Sequence, residues 1–345
     1  MVGTRVAVIG ASGYLGGELL RVLAGHPGVS LTGAVSHSHG GVPLSRLWPN
    51  LPDGERIVCE GDADRLDCDL AFLALPAGEA LSLVPSLRAR GIRVVDLGPD
   101  YRLKDPALYA AVYGRPHTDP EGLAQAVYGL TEWNRDAIRN ASLVANPGCY
   151  PTASLLALLP LRKKGLLPSH VIIDAKSGTS GAGSALSPLT HHPQASQGVQ
   201  PYGGGAHRHA PEIVQGMKDL SGAPDTSGIP ELTFQPHVVP LVRGILCDIY
   251  APGVAAESFH RWAGTLSETY AGSSFVRTSA TIPQVPWSTG SNRCYIASQK
   301  VGASGVVYSV LDNLGKGGAG QAIQNANLML GRPEAEGISM AGLGL

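Results

Sequence analysis

A short apolar run, Val6-Ala7-Val8-Ile9, leads directly into Gly10-Ala11-Ser12-Gly13-Tyr14-Leu15-Gly16. A helical pattern follows, with Leu15, Leu19, Val22 and Leu23 on one face. The run predicts a buried strand, and the spacing predicts a helix. Gly25-His26-Pro27-Gly28 stops the helix, and residues 29–35 read as the next strand. Together these make a βαβ unit with glycines at its first turn. Gly10 permits the tight turn, Gly13 lets a phosphate approach the backbone, and Gly16 lets helix and strand pack closely. In a chain with 45 glycines such a pattern alone carries little weight. A strand before it and a helix after it point to dinucleotide binding.

A carboxylate at the end of the second strand would bind a ribose 2′-hydroxyl. This chain instead reads Val35-Ser36-His37-Ser38-His39, so nothing there repels a 2′-phosphate, and NADP is expected over NAD. Residues 69–76 and 92–97 are further strands, with a helix over 79–90 between them. Strands and helices alternate to Ala145, which predicts a mostly parallel, doubly wound sheet. Ligands on such sheets lie at the carboxyl ends of the strands. Loops 10–16, 75–78 (with Leu75 and Pro76) and 98–102 fall there. Arg102 either binds an anionic substrate group or pairs at the surface with Asp100 or Asp105. Residues 109–114 and 127–132 read as irregular structure over the sheet edge.

The strand 142–145 ends at Asn146-Pro147-Gly148-Cys149-Tyr150-Pro151, and an apolar helix follows. Cys149 therefore sits at a helix start, where unpaired N–H groups and the positive dipole end favour a thiolate. Such a thiolate is a candidate covalent nucleophile, and the competing reading is a small buried hydrophobe. By topology Cys149 falls on the cofactor edge. The second half is mixed α+β, so a domain boundary is expected near residue 148. Ser177-Gly178 opens a Gly/Ser turn that lines a nicotinamide or substrate anion, or merely crosses the surface. Residues 187–206 lack periodicity. His207-Arg208-His209 then precedes a helix, and either histidine can partner Cys149 in proton transfer. A zinc reading of His191, His192, His207 and His209 lacks Cys or carboxylate spacing, so no metal is expected. Strands are expected at 231–235, 244–250, 294–297 and 305–310, and a helix over 255–270. Arg243 is a second anion-binding candidate. Asn313, before a glycine-rich start to the last helix, is a candidate partner for a nicotinamide carboxamide.

With 345 residues the chain is long enough for two domains. A net charge of −1 gives no nucleic-acid footprint. No apolar run reaches membrane-span length. Residues 1–5 lead into a strand without a signal-peptide core. Five scattered cysteines without CxxC pairs read as reduced cytoplasmic thiols.

Seven motifs now stand in order: GASGYLGGELL (10–20), DLGPDYRL (96–103), NPGCYPTA (146–153), SGTSGAG (177–183), HRHAPEI (207–213), VPLVRGI (239–245) and DNLGKGGAGQAIQNAN (312–327). Together the chain resembles the N-acetyl-gamma-glutamyl-phosphate reductase family of arginine biosynthesis, itself similar to aspartate-semialdehyde dehydrogenase. The resemblance implies an α/β chain with an NADP-binding Rossmann domain at 1–148, completed by 313–345 through a returning C-terminal helix. An α+β catalytic and oligomerisation domain spans 149–312, and the implied assembly is a homodimer or homotetramer. The implied nucleophile is Cys149 and the acid/base is a protonated His207. Arg102, Asn146, Arg208, Glu212 and Arg243 are implied to bind substrate. Gly10, Ser12, Gly13, Tyr14, Leu15, Gly16, Ser36, Leu75, Pro76, Ser177, Gly178 and Asn313 are implied to face NADP. Family members often carry a basic residue where this chain has Ser36-His37-Ser38.

The implied reaction is NADPH-dependent reduction of a small acyl phosphate to a semialdehyde through a cysteine thioester. Three readings compete: the carrier-protein-bound 2-aminoadipate phosphate reductase of lysine biosynthesis, aspartate-semialdehyde dehydrogenase, and a non-catalytic NADP-binding redox sensor. Assay of both acyl phosphates separates the arginine enzyme from the first; the second usually shows Asn-Cys-Thr or Asn-Cys-Ser at the nucleophile, where this chain has Gly148-Cys149-Tyr150-Pro151. A sensor would bind cofactor without phosphate-dependent aldehyde oxidation.

Overall fold

A computed structural model describes residues 3–52, 54, 57–203, 205–222 and 228–344. Met1, Val2, Gly204 and Leu345, which the expected chain ends and the aperiodic stretch take in, lie outside them. Two compact units emerge: Met1–Pro147 with Gly318–Ser339, and Gly148–Gly317 with Met340–Leu345.

The first unit is a six-stranded sheet. Its strands are β1 (Thr4–Ile9), β2 (Val29–Val35), β3 (Leu70–Leu73), β4 (Arg93–Asp96), β5 (Val127–Tyr128) and β6 (Leu143–Ala145). They lie in the order β2-β1-β3-β4-β6-β5, every pairing parallel. The apolar strand runs are what such a sheet demands, since helices cover both its faces. The interleaved helices are α1 (Tyr14–Leu23), α2 (Leu44–Leu47), α3 (Ala80–Ala89), α4 (Pro106–Tyr113), α5 (Pro120–Gln125) and α6 (Thr131–Arg139). The chain steps outward from β1 to β2 and returns past β1 to β3. The strand order therefore reverses between β1 and β3, and a ligand crevice is expected at their carboxyl ends.

Two stretches read as irregular are regular. Residues 106–113 form α4: Asp105 accepts from the Ala107 N–H at the N-cap, Pro106 opens the helix, and Gly114 closes it at φ +68°. Residues 127–132 contain β5 and the start of α6.

The second unit carries α7 (Cys149–Lys163), β7 (His170–Ser177), α8 (His192–Ala195), β8 (Gln200–Pro201), α9 (His209–Leu220), β9 (Glu231–Val238) and β10 (Ile245–Pro252). It continues through α10 (Ala256–His260), α11 (Trp262–Tyr270), β11 (Val276–Thr278), β12 (Cys294–Val301) and β13 (Ser304–Leu311). The expected single helix over 255–270 is thus two, divided at Arg261. The sheet order is β11-β12-β13-β10-β7-β9-β8 with mixed directions. Strands β7 and β10 alternate buried and half-buried residues, so one face is a core face. Helix α7, buried on nearly all sides, packs against β10, β13, α9 and α11. The last helix, α12 (Gly320–Met329), returns to the first unit and packs on α6.

Candidate active site

At the carboxyl end of β1, Gly10 takes φ +88°. A Cβ there would stand 2.4 Å from the Ala74 carbonyl oxygen, and one on Gly16 would stand 2.1 Å from the Gly10 oxygen. Both glycines are required by backbone contact. At Gly13 an added Cβ would meet only the Gly10 oxygen, at an ordinary 3.7 Å contact. Gly13 is also the N-cap of α1 and has no side-chain cap, which leaves the helix start available to a phosphate. Trp48 braces the loop from behind. Its Nε1 donates to the Ala11 carbonyl at 2.9 Å, and its ring occupies the place of a Gly17 side chain. Tyr14 is exposed and Leu15 half-buried beside the loop.

The end of β2 adds a hydroxyl cluster. Ser36 Oγ donates to Ser12 Oγ at 3.0 Å and lies 3.3 Å from His39 Nδ1; Ser38 Oγ is 2.8 Å from the same nitrogen. Among the described residues, no carboxylate is bonded to this cluster. A cradle that excludes side chains at Gly10 and Gly16, ahead of an uncapped helix start, fits a dinucleotide pyrophosphate. After β3, Leu75 is half-buried and Pro76 exposed; the Gly78 N–H binds both Asp100 oxygens at 2.8 Å.

Arg102 is not a surface ion pair. It is 8% exposed, and its Nε and Nη2 donate to the carbonyls of Asn146 and Leu97 at 2.8 and 2.7 Å. Asn146 is buried as well, donating to the Gly318 carbonyl and accepting from Asn325 Nδ2. Both residues thus make bonds that build the unit. Nearby Asp96 is fully buried, and desolvation, with the Asp100 charge next, pushes its carboxyl up to about 7.

In the second unit Cys149 is the first residue of α7 and the one half-buried cysteine; the other four are buried. The N-cap is Gly148, whose N–H is held at 2.8 Å by Oε1 of Glu212, a residue of α9 only 1% exposed. One carboxylate thereby fixes where the helix begins. Behind Cys149 the chain passes at Gly317, where a Cβ would approach Cys149 Cβ to 2.9 Å.

His207 packs among Tyr150, Tyr202, Phe234 and His209, with ring centroids 4.8–6.0 Å apart. Its Nδ1 accepts the His209 N–H at 3.1 Å, which leaves the neutral ring's proton on Nε2. Burial, then the Arg208 charge, pushes this imidazole down to about 4. That shift favours the neutral imidazole. Arg208 is exposed. Tyr202 donates to Tyr150 Oη at 3.3 Å, and burial pushes its phenol up to about 12, with the Cys149 charge adding to the shift.

Sheet register gathers the remaining residues. Ile245 pairs with Ser177 on β7 and with Leu311 on β13. Ser177-Gly178, Arg243-Gly244 and Asp312-Asn313 are therefore neighbours at one sheet end. A Gly178 side chain would strike the Val242 carbonyl at 2.7 Å. Arg243 Nη2 meets Asp312 at 2.9 Å. Asn313 is 3% exposed, accepting from the Gly244 N–H and donating to Ser180 Oγ at 2.8 and 2.9 Å. Its amide clamps two turns together. Sequence reasoning passed over Asp312, Tyr202 and Gly317. The position of Asp312 beside Asn313 in a glycine-rich stretch was the one available signal.

Two family models match the chain. One, described as the semialdehyde dehydrogenase NAD binding domain, covers residues 5–141. The other, the semialdehyde dehydrogenase dimerisation domain, covers 149–313. Among similar proteins are the N-acetyl-gamma-glutamyl-phosphate reductases of Desulforudis audaxviator, 42% identical over 98% of this chain and 99% of that one, and of Geobacter metallireducens, 44% identical over 97% of each. Among solved structures, aspartate semialdehyde dehydrogenase II from Vibrio cholerae matches with TM-score 0.72 at 18% identity, over 95% of this chain and 98% of that one. The NADP complex of the Candida albicans aspartate semialdehyde dehydrogenase matches with TM-score 0.68 at 16% identity, over 95% and 98%. These last two speak to the fold.

Proposed function

The chain belongs to the semialdehyde dehydrogenase family, alongside the N-acetyl-gamma-glutamyl-phosphate reductases, and from that premise we propose that it reduces N-acetyl-gamma-glutamyl phosphate to N-acetylglutamate 5-semialdehyde and phosphate. It is an oxidoreductase with a nicotinamide cofactor. The cofactor is NADP, a reading supported by the Ser12, Ser36, Ser38 and His39 cluster. The Gly10–Gly16 loop and the start of α1 hold the pyrophosphate. The protein acts in the cytoplasm, as a homodimer or homotetramer assembled through its second unit.

Bound NADPH supplies a hydride. The chain supplies the rest. Cys149 Sγ, as thiolate, attacks the acyl carbon and expels phosphate, forming a thioester. This step matters because a free carboxylate accepts hydride very poorly, whereas a thioester does so readily. The N-terminal N–H groups of α7 and the neutral His207 Nε2–H donate to the oxyanion. That oxyanion collapses to the aldehyde and returns Cys149 as thiolate, with no proton needed from imidazolium. Arg243 and Arg208 bind the substrate's anionic groups. Glu212 holds the start of α7 so that Cys149 keeps its place. The single observation carrying this reading is a half-buried cysteine at a helix start, in a chain related to these reductases over nearly its full length.

The test is phosphate-dependent reduction of NADP with N-acetylglutamate 5-semialdehyde, run beside its 2-aminoadipate analogue and aspartate semialdehyde. Turnover with the first, at a kcat/KM at least about tenfold above the others, is the expected result. Turnover confined to either rival substrate overturns the assignment.

A further inference from the structure

Asp312 follows β13 and is completely buried. A carboxylate in that position must be fully hydrogen-bonded to be tolerated. Its Oδ2 accepts from Arg243 Nη2 at 2.9 Å, from Arg243 Nε at 3.0 Å and from the Gly290 N–H at 2.6 Å. Its Oδ1 accepts from the Leu314 N–H at 2.9 Å and the Gly315 N–H at 3.3 Å. Its own carbonyl accepts from the Gly317 N–H at 2.8 Å. The turn from Asp312 to Gly317 is therefore organised by one residue, and that turn ends at Gly317, where an added Cβ would stand 2.9 Å from Cys149 Cβ.

We infer that Asp312 is a positioning residue for the reaction: it aligns the Arg243 guanidinium for the substrate's anionic group and holds the turn that backs Cys149. The register of β10 against β13 supplies the cause, since Ile245 opposite Leu311 puts residue 243 beside residue 312. A guanidinium gripped along its Nε–Nη2 edge has its plane fixed. An arginine otherwise carries several freely rotating bonds, whose ordering on substrate binding would cost affinity. The pair arranges that order in advance. At Gly317 an added Cβ would stand 2.9 Å from Cys149 Cβ, so the turn that Asp312 holds leaves the room Cys149 needs. The inference rests on the reading of Arg243 as an anion binder and of Cys149 as the nucleophile.

The experiment compares wild type with Asp312→Asn, Arg243→Ala and the double variant on the intact protein. Asparagine keeps one oxygen for the turn N–H groups and removes the charge that grips Arg243. With N-acetyl-gamma-glutamyl phosphate, Asp312→Asn is expected to raise KM roughly tenfold with kcat held within about threefold. The double variant is expected to match Arg243→Ala, since the two residues act as one device. A parallel readout needs no substrate: alkylation of Cys149 by iodoacetamide, slowed by inorganic phosphate. Half-protection of Asp312→Asn should need about tenfold more phosphate than wild type. Should Asp312→Asn fail to fold, Arg243→Lys keeps the charge without the two-point grip and should shift protection the same way. Superimposable protection curves, a wild type that phosphate does not protect, or additive KM effects overturn the inference. A wild type that phosphate protects but that turns over no N-acetyl-gamma-glutamyl phosphate sinks the substrate assignment and leaves the alignment by Asp312 standing.

Discussion

Two helix starts, one in each unit, do different work with opposite construction. Helix α1 begins at an uncapped glycine, and the glycines that shape its start are local: Gly10, Gly13 and Gly16 lie within seven residues of chain. Helix α7 also begins at a glycine, but the N–H of Gly148 is claimed by Glu212, 64 residues on. The backing at Gly317 comes from farther still. On the proposed reading, the start that takes an anion is left bare for its ligand, whereas the start that holds the nucleophile is pinned by the protein itself. The difference predicts that the two sites fail independently.

The sharpest break is Cys149→Ser. Serine is a far weaker nucleophile at neutral pH, so kcat should fall by about a thousandfold or more. Cofactor affinity, measured by fluorescence titration, should stay within about twofold, because nothing in the Gly10–Gly16 cradle is touched. Loss of both together would mean that the two helix starts are not separate devices. The converse variant is Gly16→Ala. Its methyl would press on the Gly10 carbonyl at 2.1 Å, and backbone there has nowhere to go. Cofactor binding should weaken by an order of magnitude or more, with overpacking costing about 1–3 kcal/mol of stability. Iodoacetamide should still modify Cys149 at the wild-type rate. A smaller effect is expected from Ser36→Asp, which places a carboxylate among the hydroxyls after β2. Preference for NADP over NAD in kcat/KM should drop by about tenfold, through repulsion of the 2′-phosphate. An unchanged ratio would put the 2′-phosphate elsewhere.

What sequence reasoning could see follows the same division. The parallel sheet, the cradle and the position of Cys149 rest on short-range signals: apolar runs, glycines at fixed offsets and a turn before a helix. Even so, α4 was passed over, although Asp105-Pro106 and Gly114 mark its two ends; its weakly sided apolar face hid it. The environment of Arg102 was not legible at all. Two of its partners are backbone carbonyls, and a carbonyl leaves no mark on the amino-acid string. Asp312 was illegible for a related reason. It meets Arg243 across 69 residues, and only the registration of β10 on β13 puts them side by side. Pattern finds what a segment does for itself, and long-range pairing decides what it does for the site.

The smallest expected effect concerns pH, and it asks whether the second site is held neutral by its own packing. His207 has its imidazole pushed down to about 4, first by burial and then by the Arg208 charge. In the unfolded chain the same ring titrates near 6.5. Below that value the unfolded state takes up a proton that the folded state refuses, so folding loses support. The contribution is therefore fully present above about pH 6.5 and is lost as pH falls toward about 4. His117, also pushed down chiefly by burial, adds in the same direction. Thermal midpoints measured from pH 7.5 to 4.5 should fall for wild type more steeply than for His207→Gln, which cannot take up that proton. Because Arg208 is exposed, added salt should screen its share and leave the burial share in place. Parallel slopes in the two proteins would mean that His207 titrates normally when folded, and would restore the imidazolium as the proton donor to the oxyanion.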